Sequence, residues 1–409
     1  MYRKIITLTI LIAGLFSCKE LYTDYQPEIN EEYLVVEGMI TDDAGPYYVT
    51  LSKAVAYSND LTLRNYKPQS ETKATVKIRS DKGEDIILYE MEGKTGTYAT
   101  RKEELTGEIG HSYWIYIQTQ KGDVYESLPS VLMDKPDIPN LYAAEAEKTI
   151  VDESLPGGPV FVTKSGMKLT CDIANNNAAD YIKIDFQTFT PQFYLIDSVF
   201  SENVDPELME NSYRPLHYQK TDPYYCWIMR QADPMPIIAG TGDKTSASLL
   251  SGIPIGFINQ NASYSSTDSL AFTLPEGYVV SDLNMEIMGG TLLTVVSNVF
   301  YANYYFADIK AYAISDIIYE YYRNLKNQVT DNNRIFDPVP VELIGNIRCT
   351  SDPGKSIFGI FITASVMKRQ FYIRWTGRYS TPAVEKLNDY FPVQSSGCAA
   401  EAPVFWRKY

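Results

Sequence analysis

Histidine is almost missing: His111 and His217 are the only two in 409 residues. A triad hydrolase needs an imidazole held by a third group, and zinc centres draw heavily on imidazole, so both classes start with little material. No HExxH, GxSxG, GxGxxG or EF-hand spacing occurs. Cysteine is sparse too, with five residues and no two at CxxC spacing, which leaves a metal cluster without its usual ligands. Runs of Lys and Arg are absent from a chain of formal charge −15, which argues against a nucleic-acid partner and against electrostatic attachment to anionic lipid. Long apolar runs are lacking as well. A membrane-spanning helix needs about 20 apolar residues, and the strongest internal stretch, Leu283 to Phe300, is broken by Glu286, Gly289, Gly290 and Asn298.

What the chain does have is aromatics, 33 Tyr and 16 Phe, within an apolar fraction of 45% that suffices for a packed core. Its length exceeds what one core organises, so two domains are expected. From Tyr33 the pattern is strand, turn, strand: Tyr33–Ile40, the turn residues Asp42-Asp43-Ala44-Gly45-Pro46, then Tyr47–Leu51. Strand-like runs follow at Ala74–Arg79, Ile86–Met91, Ser112–Gln120 and Val124-Tyr125, with Gly-rich turns between. Short strands so punctuated predict an N-terminal Ig-like β-sandwich over 33–132. Met133 to Asn140 holds two prolines and no apolar periodicity, which puts the domain boundary there.

The rest, 141–409, reads as a larger antiparallel β-sandwich domain with one packed helix, so the fold class is mainly β. Its first strands are expected at Val160–Val162 and Lys168–Asp172, and the next at Tyr181–Phe189. In that third run Ile182, Ile184 and Phe186 alternate with Lys183, Asp185 and Gln187, as in a half-buried strand. Further strands are expected at Ile253–Ile258, Ala271–Leu274, Leu283–Met288, Leu292–Val296 and Tyr304–Tyr312. The helix, about 315–328, has Ser315 as N-cap, Asp316 in its first turn, and Ile318, Tyr322 and Leu325 on one stripe that packs against a sheet. Val341–Cys349, Ile357–Val366 and Phe371–Trp375 are closing strands of this second domain.

The N-terminus reads as a signal peptide, residues 1–17: Arg3 and Lys4 precede an apolar run from Ile5 to Phe16 that is too short to span a bilayer. Leu15-Phe16-Ser17-Cys18 resembles the lipobox of bacterial lipoproteins, which implies cleavage before Cys18 and its acylation. Each buried methylene of an acyl chain contributes about 0.8 kcal/mol, so several chains hold a soluble body on outer-membrane lipid. Residues 18–32 then form a polar tether, in which Lys19-Glu20 and Tyr22-Thr23-Asp24 resemble the export tag of surface lipoproteins in Bacteroidota. The expected location is the outer membrane, lipid-anchored and facing the cell exterior. In that oxidising setting Cys171, Cys226, Cys349 and Cys398 are candidates for disulfides or buried thiols, with all three two-bridge pairings open.

Three segments together resemble the DUF4249 family of Bacteroidota outer-membrane lipoproteins. They are Leu34–Asp42 with Gly45–Ser52, the helical Tyr319–Gln328, and Ile335–Pro340 with Gly345-Asn346-Ile347 and Ile357–Phe361. The resemblance implies a lipoprotein that serves as an accessory to a TonB-dependent receptor, and it brings no catalytic residues with it.

Ala239–Ser246 has the look of a phosphate loop, but Asp243 breaks the spacing and would repel phosphate. Asp42-Asp43 and Asp172 with Asn175–Asn177 and Asp180 could offer oxygens to calcium without EF-hand spacing; acidic turns of this kind are common without metal. Among 51 acidic residues no glycosidase pair can be singled out. The aromatic stretch Phe193–Trp227 is where a binding surface is expected, on Tyr213, His217, Tyr218, Tyr224, Tyr225 and Trp227, against the more frequent outcome that such aromatics fill a core. No cofactor is expected. The function expected is a non-enzymatic surface lipoprotein that captures a nutrient or docks on a TonB-dependent transporter, with a glycan or peptide as ligand. A glycan or peptide hydrolase on a β-sandwich, and a structural or adhesive surface protein, are the competing readings.

Overall fold

The computed structural model describes residues 33–53, 69–152, 160–174, 181–199, 218–220, 224–231, 237–240, 249–259, 278–284, 294–302, 304–331, 343–375, 381–393 and 397–399. It is mainly β, with sheets arranged as sandwiches and a single helix among the described residues. Strands β1 (Leu34–Ile40) and β2 (Tyr48–Lys53) form the expected hairpin, with Val36 opposite Leu51. After them come β3 (Gln69–Ser70), β4 (Thr75–Ser80), β5 (Asp85–Met91), β6 (Lys94–Ala99), β7 (Ser112–Gln118), β8 (Val124–Ser127) and β9 (Ser130–Val131). β5 joins the two layers, because Asp85–Leu88 pair with β4 while Tyr89–Met91 pair with β6. Alternate residues point inward from both layers. Val36, Val49 and Leu51 meet Val76, Ile78, Ile115 and Ile117 in one core, each such side chain contributing about 1.5–3 kcal/mol.

The second unit opens earlier than its sequence suggests. β10 (Asp137–Asp152) starts inside the Pro-containing boundary segment and forms a long antiparallel hairpin with β11 (Val160–Ala174), where two short strands were expected. Pro139 is tolerated because β10 is an edge strand whose register shifts between Asp137 and Asn140. The hub of the next sheet is β12 (Tyr181–Val199). It is flanked on one side by β13 (Tyr218–Lys220), β14 (Tyr224–Gln231) and β15 (Ile237–Gly240). β16 (Leu249–Asn259) instead joins β11, so β10, β11 and β16 make a three-stranded sheet. β17 (Tyr278–Asn284) pairs with β18 (Thr294–Ala302), and β18 and β19 (Tyr304–Ile314) line the other side of β12. The two sheets press Ile138, Met167, Leu169 and Ile173 against Ile182, Ile184, Ile309 and Ile373. The segment Ala271–Leu274 lies outside the described residues.

Helix α1 (Asp316–Asp331) begins where expected, the Tyr319 amide donating to the Ser315 carbonyl at 3.0 Å. Its apolar stripe buries Ile318, and Tyr319 stacks on Tyr181 at 4.3 Å. That covering corrects the half-buried reading of β12. Lys183, on the face taken for solvent, is buried, bonds Asp185 at 2.5 Å and lies over the Tyr312 ring at 4.6 Å.

The closing strands are β20 (Ile347–Cys349), β21 (Ile357–Thr363), β22 (Ser365–Arg374), β23 (Ala383–Lys386) and β24 (Gly397–Ala399). Two of them leave the second unit. β20 pairs with β8, and β21 runs parallel to β1 over Leu34↔Ile357 to Ile40↔Thr363. The first sandwich therefore needs residues 347–363 as well as 33–132, and the division of the chain into consecutive units does not hold for this sheet. Two devices fix the join. The buried Asn346 side chain donates to the Phe361 carbonyl at 2.7 Å and accepts from the Phe361 amide at 3.0 Å, taking the place of a ladder between β20 and β21. Gly359 has φ +100°, and a Cβ there would fall 1.9 Å from the Val36 carbonyl oxygen. β21 is apolar on both faces, with Phe361 in the first core and Ile360 and Ile362 packed with α1.

Candidate functional site

Of the aromatic surface expected from the sequence, Tyr213 and His217 lie outside the described residues, as does Cys18. Tyr218 opens β13 opposite Val199, while Tyr224, Tyr225 and Trp227 sit on β14 opposite Tyr194, Phe193 and Pro191. All four thus share one edge of β12. Trp227, with Met229, packs against Phe189, Phe306, Tyr372 and Leu387, so it fills a core in the described structure.

His111 comes nearer to catalytic geometry than its neighbourhood in sequence suggests. Its Nδ1 lies 3.0 Å from Asp81, whose other oxygen accepts the Ser112 amide at 3.0 Å. The opposite ring nitrogen faces Glu108 at 4.0 Å, so among the described residues the imidazole meets a carboxylate on each side and not a nucleophile's hydroxyl or thiol. Of the groups considered for calcium, Asn175–Asn177 and Asp180 lie outside the described residues, and the three remaining carboxylates are engaged by protein. Asp42 accepts the Val366 amide at 2.8 Å and pairs with Lys135 at 2.5 Å, and Asp43 pairs with Lys368. Asp172 accepts from Tyr142 at 2.7 Å, Gly252 at 3.0 Å and Asn140 at 3.2 Å. Burial pulls its pKa upward, but these bonds outweigh that and hold it below the usual carboxylate value. Among the described residues no group of three His, Cys, Asp or Glu is placed to hold a metal.

The cysteines divide. Cys171 is a buried free thiol between the two sheets of the second unit, and Cys349 is a buried free thiol in the first core, bonded to Ser351 at 3.4 Å. Burial pushes the Cys171 thiol up to about 12, which makes it inert at neutral pH. Of the two states open to them in the sequence, disulfide or buried thiol, these two stand as thiols, each enclosed in a different core. Cys226 and Cys398 are opposite one another in the β14–β24 pairing.

One concave site among the described residues was not legible in the sequence. A cleft of about 510 Å³ opens at one end of the first sandwich, between Tyr33 at the start of β1, the β7–β8 turn and the loop that carries Lys355. Lys53 at the end of β2 meets Glu71 at 3.3 Å, both largely buried, and Lys355 donates to Asp123 at 2.7 Å. The hydrogen bond to Asp123 is the main reason Lys355 holds its proton above the ordinary lysine range. Lys121 and Asp352 complete the charged lining, and Tyr125 forms the wall, its hydroxyl kept protonated by burial. Lysines and carboxylates are thus matched in number around an open space. Such a lining can receive a ligand carrying both signs of charge; it presents no activated nucleophile. The lining residues come from five separate stretches, and no local spacing announces their meeting.

Fold and site define a mainly β protein with a charged cleft and, among the described residues, no assembled catalytic constellation. The chain belongs to the DUF4249 family, a domain of unknown function whose model matches residues 20–370. No curated protein and no solved structure matches it.

Proposed function

We propose that this protein is a lipid-anchored accessory of the outer membrane, acylated at Cys18 and exposed to the exterior, that binds a nutrient and hands it to a TonB-dependent transporter without turning it over. The observation that carries this reading is the apolar run ending at Cys18 and followed by a short polar tether into β1. No helix among the described residues is long and apolar enough to cross a membrane, which is compatible with attachment by acyl chains. The tether ends at Tyr33, on the rim of the charged cleft. Fully extended, it reaches at most about 50–54 Å, so the cleft works close to the membrane. Of the two ligand classes, a peptide complements paired lysines and carboxylates better than a neutral glycan does.

Three measurements test this. Cys18→Ser should move the protein from the detergent-extracted membrane fraction to the soluble fraction; retention in the membrane sinks the anchor. Protease added to intact cells should cut the protein, and full protection places it inside the envelope. Affinity purification from gently solubilised outer membranes should recover one TonB-dependent receptor in near-stoichiometric amount. Recovery of the protein alone removes the docking role and turns attention to hydrolysis of glycans and peptides, the competing reading.

A further inference from the structure

We propose that Cys226 and Cys398 are joined by a disulfide that pins the C-terminal segment onto the second sheet, while Cys171 and Cys349 remain thiols. The strand β24 is only three residues long, and its antiparallel register on β14 is Tyr225↔Ala399, Cys226↔Cys398 and Trp227↔Gly397. Directly opposed residues of an antiparallel pair have Cα atoms about 4.5 or 5.5 Å apart, depending on their place in the ladder. Both values fall within the roughly 4.4–6.8 Å that a disulfide spans, and opposed side chains leave the same face of the sheet. The other pairings have no such support. Cys171 sits opposite Leu141 and Ile253 in the second core, and Cys349 sits opposite Tyr125 in the first.

The bridge also has mechanical sense. Before β24 the chain lies as a strap over the outer face of β19 and β22. Phe391 and Val393 pack on Phe189, Phe306 and Tyr372, and Gln370 exchanges two hydrogen bonds with the Phe391 backbone at 2.7 and 2.9 Å. β23 holds the near end of the strap in the sheet. Among the described residues its far end is held by three residue pairs, where one covalent bond would prevent fraying.

Formation removes two protons and two electrons from the two thiols as the S–S bond forms. The oxidant is the disulfide of a dithiol donor protein of the export compartment: one thiolate attacks it, the second cysteine resolves the mixed disulfide, and the donor leaves as its dithiol. Formation in the cell therefore rests on the export reading, whereas the pairing rests on register alone.

The test is peptide mapping by mass spectrometry of full-length protein isolated without reductant and alkylated under denaturation. We expect one linked pair of peptides containing Cys226 and Cys398 that separates on treatment with dithiothreitol, with Cys171 and Cys349 alkylated. Parallel mapping follows equilibration of the reduced, folded protein in a buffer of oxidised and reduced glutathione. Linkage in the glutathione buffer but not in cells supports the pairing and counts against export. Alkylation of Cys226 and Cys398 in both preparations, or linkage of either to another cysteine, overturns the proposal.

Discussion

The two sandwiches handle edges and charges in opposite ways. The first closes on itself: its outermost strands β20 and β21 are consecutive in the chain, and Asn346 bridges them by bonding the Phe361 backbone from both sides. Most of its described ion pairs lie near the surface, as where Lys77 and Arg79 grip Asp85, with Lys53–Glu71 at the cleft the largely buried exception. The second leaves the β10–β11 ribbon at its edge and draws charge inward, burying Lys183 and Asp308. The difference shows where each unit's specificity resides. The first depends on shape and backbone fit at one seam, the second on polar networks that tolerate looser edges.

If the seam decides the first sandwich, the largest effect should come from Gly359→Ala. A methyl group there meets the Val36 carbonyl at 1.9 Å on a backbone that L-residues rarely adopt, so β21 must leave β1. We expect a loss above about 4 kcal/mol, read as failure to accumulate soluble protein or as collapse of the urea midpoint. Asn346→Ala should follow at about 3 kcal/mol, because the Phe361 amide and carbonyl are then buried without a partner. Hydrogen exchange should show β20 and β21 opening before β4 and β7. Uniform loosening of all strands would break the seam argument.

This seam also marks where sequence reasoning stopped. Period two in Val36, Val49 and Leu51, or in Ile182, Ile184 and Phe186, is a local signal and gives both strands and core faces. The parallel pairing of Leu34 with Ile357 spans most of the chain, and nothing in either segment names the other. Apolar residues on both faces of Ile357–Phe361 were the one hint of a strand enclosed by two cores. Lys183 misled for a related reason: alternation shows which face is polar, not whether a helix covers it. The cleft was invisible because Lys53, Glu71, Asp123 and Lys355 have no shared spacing.

The buried charges of the second sandwich make a smaller, pH-dependent prediction. Asp308 is buried with one oxygen lacking a hydrogen-bond partner among the described residues, while the other accepts from Tyr390 at 3.2 Å. Burial raises its pKa, against the opposing pull of Lys310 and the Tyr390 hydroxyl. A carboxyl whose folded pKa lies above its unfolded value stabilises the fold while protonated, and that contribution is lost as pH rises through the folded value. Asp308→Asn should therefore stabilise the protein at neutral pH and make no difference in acid below the ordinary carboxylate range. Urea midpoints of both proteins across that range check it; destabilisation at neutral pH would show that the charge is in use.

Asp85 supplies the counterpart on the first sandwich, with the opposite sign and the smallest effect. Hydrogen bonds from Lys77, then Arg79, hold its pKa below the usual value, so its contribution is present at neutral pH and lost as pH falls through the folded pKa. The side chain is nearly half exposed, at 46%, so water and salt screen the pairing. Asp85→Ala should cost less than about 1 kcal/mol in dilute buffer, with most of the difference gone in about 1 M salt, where the screening length is near 3 Å. A larger cost that persists in salt would mean that the rim of the first sandwich depends on charge as the interior of the second does, and the contrast between the two would fail.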